Sequence, residues 1–317
     1  MCSCVNSGHS HSFKFVSNRQ IYPFLTKVPF FFYIFVKFLR IRPCMEKKKI
    51  LFVSQEIFPF LPKSEISSTA RRLPQGIQEA GKEIRVFTPR FGSINERRHQ
   101  LHEVIRLSGM NLIIDDTDHP LIIKVASISA ARMQVYFIDN DEFFKRKNNT
   151  TDDNDEPYAD NDERSMFFCR GVLETVKKLG WQPDVIHCHG WMTAPMPLYI
   201  KHLYNKDPHF ANTKVVYSLY DEGFNKNWDP RFADKLKFDG FGKEVTNQLS
   251  ETDFANITRV AVQFSDGVNI SSEALSPALQ SIFDEATCPK QAFVPEEQQV
   301  KVLSEFFDKI IDESSTH

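Results

Sequence analysis

Ile50-Leu51-Phe52-Val53-Ser54 and, a little further on, Ile84-Arg85-Val86-Phe87-Thr88 are the two runs that decide the fold. Both are short and apolar, as expected of strands covered on both faces. Between them Ala70, Leu73, Ile77 and Ala80 recur at helical spacing, and Gly81 supplies a stop. A helix beginning at Ser67 would carry Pro74 within its first two turns, where a missing N–H does little harm. Strand, helix, glycine, strand is a βαβ unit, the building block of a parallel sheet.

The same alternation extends outward. Val104–Leu107, Leu121–Val125 and Met133–Ile138 are β-rich and suit an antiparallel insertion or a sheet edge. Lys147–Asp162 is acidic and Asn-rich and is predicted to be an exposed loop. A helix is expected over Glu163–Leu179, capped by Gly180, then a strand over Pro183–His189 and a helix over Trp191–Tyr204. Lys214–Leu219 and Gly267–Ser271 complete the strands, with a helix over Val260–Ser265 between them. The pattern predicts an α/β fold, a doubly wound and mainly parallel Rossmann-like sheet over residues 45–275. Residues 276–317 read as a linker and an amphipathic C-terminal helix over Glu296–Ile311. Val300, Leu303, Phe306, Phe307, Ile310 and Ile311 form the apolar side of that helix.

The 317 residues are 41% hydrophobic and 25% charged with net charge −2, so no whole-chain field draws the protein to nucleic acid or to anionic lipid. Residues 1–44 differ from the rest. Their apolar run, Val28–Leu39, is too short to span a bilayer. Lys14, Arg19 and Lys27 precede it as in a signal peptide, but Lys37, Arg40 and Arg42 stand where cleavage requires small residues. This segment is expected to be a spurious or disordered extension, with Met45 as the start. Six cysteines show no C-x-x-C pair, and Cys2-x-Cys4 with His9 and His11 has poor spacing for zinc. No metal and no cofactor is expected, and reduced thiols fit a cytoplasmic protein.

Three motifs carry a family resemblance. VSQEIFPFLPKSEI at 53–66, with TPRF at 88–91, is the first; YADNDER at 158–164, followed by Phe167 and Phe168, is the second; PDVIHCHGW at 183–191 is the third. Their order and types resemble the amino-terminal domain of glycosyltransferase family 5, the bacterial glycogen and plant starch synthases. There the patterns run roughly S-x-E-x-x-P-x-x-K-x-G-G-L and P-D-[VI]-[VI]-H-x-H-D-W. The resemblance implies one half of a GT-B fold. In that fold two Rossmann-like domains enclose ADP-glucose and an α-1,4-glucan, and a glucosyl group passes to the glucan with retention. Nothing after residue 275 resembles the second domain, so the chain is expected to be incomplete and weak or inactive alone, unless a protein partner or homo-oligomer completes it. The alternative expectation is a non-catalytic glucan- or partner-binding accessory.

Within that resemblance Lys63 matches the lysine that contacts the donor diphosphate, where an ammonium would offset developing charge. Glu65 and Ile66 replace the paired glycines that let backbone N–H groups approach phosphate. A carboxylate about 4 Å from a phosphate repels it by roughly 4 kcal/mol at a near-surface dielectric. His187 and His189 close a strand at its carboxyl end, where open α/β sheets bind ligands. One of them matches a histidine facing the donor sugar; the other reading is a pair hydrogen-bonded inside a βα turn. Gly190 and Met192 replace the family's Asp and His, and Tyr220 and Asp221 replace its later His and Asn. Lys63, His187 and His189 are the candidate substrate-binding residues, and no residue is assigned a catalytic role. The carboxylates from Asp152 to Asp162 lack the glycine and closing glutamate of a calcium loop and read as solvated.

Overall fold

The computed structural model describes residues 47–313. The expectations for residues 1–44, the Met45 start and Cys2, Cys4 and Cys44 lie outside the described residues. Strands β1 (Lys49–Ser54), β2 (Glu83–Pro89), β3 (His102–Glu103), β4 (Met110–Ile114), β5 (Thr117–Ile128), β6 (Met133–Asp139), β7 (Val185–His189), β8 (Lys214–Leu219), β9 (Gly267–Ile270) and β10 (Lys290–Gln291) build the sheet. Its order is β10-β9-β8-β7-β1-β2-β6-β5-β3, with β4 on β5. The seven strands from β10 to β6 are parallel, and β5 runs antiparallel to β6, β3 and β4. The expected doubly wound, mainly parallel sheet is therefore observed, with the β-rich insertion forming one antiparallel margin.

Among the described residues ten α-helices accompany the strands: α1 (Glu65–Glu79), α2 (Glu96–His99), α3 (Asp141–Phe144), α4 (Asn161–Lys178), α5 (Pro195–His202), α6 (Phe232–Phe238), α7 (Lys243–Thr246), α8 (Phe254–Gln263), α9 (Pro277–Glu285) and α10 (Glu296–Glu313). Helix α4 packs on α5 and α5 on α8, whereas α1 packs on α10. The two groups cover opposite faces, because β7 alternates. His187 points toward Phe307 of α10, with ring centroids 5.1 Å apart, while Cys188 and Cys169 of α4 lie together on the other side. None of the described helices is long and apolar enough to cross a membrane.

Helix α10 supplies the amphipathic element expected at the carboxyl end. Leu303, Phe306, Phe307 and Ile310 are buried, and Phe307 also meets Phe52 of β1. Its approach to α1 is close: a Cβ on Gly76 would lie 2.3 Å from Val300 Cγ2, so a side chain there would force the helices apart. Lys48 and Lys82, at the amino ends of β1 and β2, pair with Asp308, and Lys48 also reaches Asp312. The helix thus runs antiparallel to the strands along the face of the sheet and leaves their carboxyl ends open.

Several expectations change; the helix expected over Val260–Ser265 is α8, Phe254–Gln263, capped at its start by Asp253. Val104–Leu107 is a turn and not a strand; Val104 N–H reaches Ile123 O at 2.8 Å, Leu107 is buried and Ile105 projects outward. Helix α1 begins at Glu65, two residues earlier than expected, because Ser64 caps it. Pro74 then lies in the helix interior, and its ring is buried instead of donating a hydrogen bond. The helix expected over Trp191–Tyr204 is a 3-10 turn, Trp191–Thr193, followed by α5 starting at Pro195, whose fixed φ suits a first turn.

Candidate functional site

The chain leaves β1 toward β2 on one side of the sheet and returns through β7 on the other, so the topological switch point lies between β1 and β7. Crevices outside strand carboxyl ends at such points are where open α/β sheets hold ligands. Ser54 pairs with His189 there, and Gln55 N–H continues the ladder to His189 O at 3.1 Å. Gly190 follows with φ +85°, a conformation that disfavours a side chain. A Cβ on it would lie 2.4 Å from Gln55 Cδ. Gln55 is buried, and its Oε1 accepts from Met192 N–H at 3.3 Å. The glutamine fills the space beside the glycine.

His187 and His189 are both fully buried. His189 Nδ1 lies 2.7 Å from the Tyr220 hydroxyl, His189 Nε2 lies 3.1 Å from His187 Nδ1, and His187 Nε2 lies 3.0 Å from Asn269 Oδ1. With the Asn269 oxygen facing His187, one assignment fits these contacts: Tyr220 donates to His189, His189 to His187, and His187 Nε2 to Asn269 and to Ser218 Oγ, 2.7 Å away, which in turn donates to Asn269 Oδ1 at 2.9 Å. Asn269 Nδ2 then donates to Ser271 Oγ at 2.9 Å, and Ser271 bonds back to Tyr220, closing a ring. Burial holds both imidazoles neutral: His187 is lowered to about 4, and His189 is held well below the usual histidine range by burial and then by the neighbouring His187. The Tyr220 hydroxyl anchors His189.

The amino terminus of α1 lies at the same edge. Ser64 and Ser67 cap each other, Ser67 N–H to Ser64 Oγ at 3.0 Å and Ser64 N–H to Ser67 Oγ at 2.8 Å. Ser64 Oγ also donates to Glu56 Oε2 at 2.6 Å. Glu65 and Ile66 are the first two helical residues, and neither has a positive φ. Ser272 Oγ, after β9, donates to Glu65. Glu222, after β8, is held above the usual carboxylate range by burial and then by the charges of Glu56 and Glu65. Three glutamates therefore converge where the resemblance implies glycines and phosphate. Lys63 is exposed on the loop before α1, its ammonium 5.3 Å from the Phe58 ring centre, and no carboxylate among the described residues pairs with it. The structure brings His187 and His189 together but does not bring Lys63 to them.

Beside these glutamates lies a cavity of about 490 Å³. Trp191, Phe224 and Phe254 give it aromatic walls; Asn161, Asp221 and Glu222 give it polar ones. Phe224 stacks on Trp228 with centroids 5.2 Å apart and meets Trp191 edge-on at 5.4 Å. The opposite wall, residues 150–157, hangs from the buried Arg164. Its Nε donates to Phe143 O at 2.8 Å, Nη1 to Asn161 Oδ1 at 2.6 Å and Nη2 to Asn149 O at 2.6 Å. Aromatic faces with carboxylates and amides suit a polyol, whose C–H faces stack and whose hydroxyls donate to carboxylates.

Part of the stretch expected to be solvated is not. Asp162 is fully buried at the start of α4 and pairs with Lys235 Nζ at 2.7 Å. Asp162, Glu163 and Asp229 are grouped closely enough to hold a cation, but the Lys235 ammonium already sits 2.6–2.9 Å from all three. Sequence patterns exposed Trp191 and the 158–164 motif, whereas Lys235, Gln55 and Phe254 carry no local signal; each matters through a neighbour far along the chain.

The chain is similar to bacterial glycogen synthases. It is 37% identical to that of Chlorobium limicola over 174 residues, which is 55% of this chain and 36% of the relative. It is 31% identical to that of Chlorobaculum parvum over 243 residues, 74% of this chain and 47% of the relative. The chain spans half or less of the length of these curated relatives. In fold it is similar to the catalytic domain of Starch Synthase IV from Arabidopsis thaliana bound to ADP and acarbose, with TM-score 0.62 and 18% identity over 78% of this chain and 51% of that one. Residues 49–286 match the family model for the starch synthase catalytic domain. With three quarters of its length matched by that model, and with its motifs on the carboxyl edge of a half GT-B sheet, the chain belongs to the starch synthase catalytic domain family of glycosyltransferases.

Proposed function

We propose that this domain serves the acceptor side of α-1,4-glucan synthesis: it holds a glucan in the aromatic cavity and has little affinity of its own for ADP-glucose. On this reading glucosyl transfer by the isolated chain is weak or absent, and a protein partner or a second copy would have to supply cations for the diphosphate. The observation that supports it is the charge of the carboxyl edge. Glu56, Glu65 and Glu222 crowd the start of α1, and Lys63 lies on the loop just before it. Each carboxylate within about 4 Å of a phosphate adds roughly 4 kcal/mol of repulsion at a near-surface dielectric. A neutral sugar meets no such penalty and gains acceptors for its hydroxyls.

Of the three residues expected to touch substrate, Lys63 is assigned the phosphate-facing role, and His187 and His189 are assigned to holding β7, β8 and β9 in register beneath the site. Calorimetry with maltohexaose, ADP and ADP-glucose tests the proposal, together with incorporation of labelled glucose into glycogen. Maltohexaose should bind and ADP should not saturate at millimolar concentration. Tight ADP-glucose binding with steady glucan extension by the purified chain would overturn it. A glucan-binding accessory is the second reading, and the same three carboxylates favour it.

A further inference from the structure

Two segments that wall the aromatic cavity are far apart in sequence. One is the stretch 150–161 ending at the first turn of α4; the other is the 220–231 loop between β8 and α6. Exposed groups bridge them weakly: Lys226 reaches Glu156 at 3.8 Å, with both side chains more than half exposed. Beneath the cavity the link is of another kind. Lys235 Nζ lies 2.7 Å from Asp162 Oδ2 and 2.6 Å from Glu163 Oε1, both on α4, and 2.9 Å from Asp229 Oδ2 on the opposite loop. The Lys235 side chain is 1% exposed and that of Asp162 0%.

We propose that Lys235 is a positioning residue for the cavity, clasping the 220–231 loop to the start of α4 and so fixing the separation of the two walls that hold the ligand. The proposal rests on the reading of the cavity as a glucan site. The charge arrangement makes the clasp strong and also one-sided. Three carboxylates share one ammonium, and Asp162 Oδ1 is buried with no hydrogen-bond partner among the described residues. Asp162 is held up at about 6 by burial, against the opposing pull of Lys235. Of the other charges near the cluster, the exposed Arg231 pairs with Asp115 and adds a weaker attraction on Asp229, and Asp234 pairs with Lys237 on the exposed side. Without the ammonium, the carboxylates on the two walls repel each other. Asn161, which lines the cavity, is the residue next to Asp162.

The test uses the full chain with Lys235→Met, Asp162→Asn and the double variant, with maltohexaose as the probe. Lys235→Met should weaken binding about tenfold or more near pH 7.5, the scale of a lost pair that leaves a buried charge behind. Binding should recover near pH 5, where protonation of Asp162 removes the repulsion; a domain that had merely lost stability would not recover on acidification. The double variant should bind within a fewfold of wild type at both pH values, because it removes the buried charge with its partner. Amide exchange of residues 221–231 should quicken in Lys235→Met alone. Unchanged exchange in that loop, or a double variant as weak as Lys235→Met, would overturn the clasp. If wild type binds no maltohexaose, the glucan reading fails, and exchange in the loop still decides the clasp.

Discussion

Acid should loosen this domain through the buried His187–His189 pair. His187 titrates at about 4 in the folded protein, against 6.5 when exposed. Between those values the unfolded chain binds the extra proton, so stability is full above pH 6.5 and falls as the pH drops toward 4. Each pH unit in that window costs about 1.4 kcal/mol for one histidine, so His187 alone removes about 2 kcal/mol by pH 5. His189 acts in the same direction. Asp162 opposes them: its folded value is raised to about 6, so the stability linked to its proton is present at low pH and is lost as the pH rises through 6. Wild type alone would blur the two effects, and a variant separates them. His187→Asn should be destabilised near pH 7.5, where its ring is missing from the hydrogen-bonded cycle. The gap to wild type should then shrink by about 2 kcal/mol near pH 5, because the asparagine carries no linked proton. Urea unfolding at both pH values, with equal m values, measures the gap. A gap that does not change with pH, or imidazole nitrogen shifts showing charged rings at pH 5 in the folded protein, would refute the reasoning.

Two further outcomes follow from single contacts. Phe307→Ala removes a fully buried ring lying on Phe52 and His187 and should cost about 3–5 kcal/mol, read by calorimetric or urea unfolding. Gly190→Ala places a Cβ 2.4 Å from Gln55 at a φ that disfavours it; a loss of about 1–3 kcal/mol is expected, partly restored by Gln55→Ala in the same chain.

The parallel core was legible because buried strands and amphipathic helices announce themselves by period: β1, β2, β7 and β8 lie within a residue or two of where the apolar runs place them. The margins were not. Val104–Leu107 has strand composition, yet Val104 bonds to Ile123 from within a turn, a choice made by β5 and not by the segment itself. Pro74 was read from a helix start two residues too late, because Ser64 caps through Ser67, a pair of short side chains that hydrophobic periodicity does not register. The site was half visible. Motifs located Trp191 and the 158–164 segment, and the substitution at Glu65 foretold an acidic helix start. The neutral state of the histidines and the place of Lys235 depend on partners 30 to 80 residues away, such as Tyr220, Asn269 and Asp162. No local pattern carries that information.

Among the described residues, helix α10 ties the last elements to the first. Lys48 meets Asp312 across 264 positions, and Phe307 seals Phe52. A ribosome adding about 5–20 residues per second therefore leaves one side of the opening strand bare for roughly 13–50 seconds of synthesis. During that interval Phe52 lacks its Phe307 cover, a surface that invites a chaperone or a wrong partner.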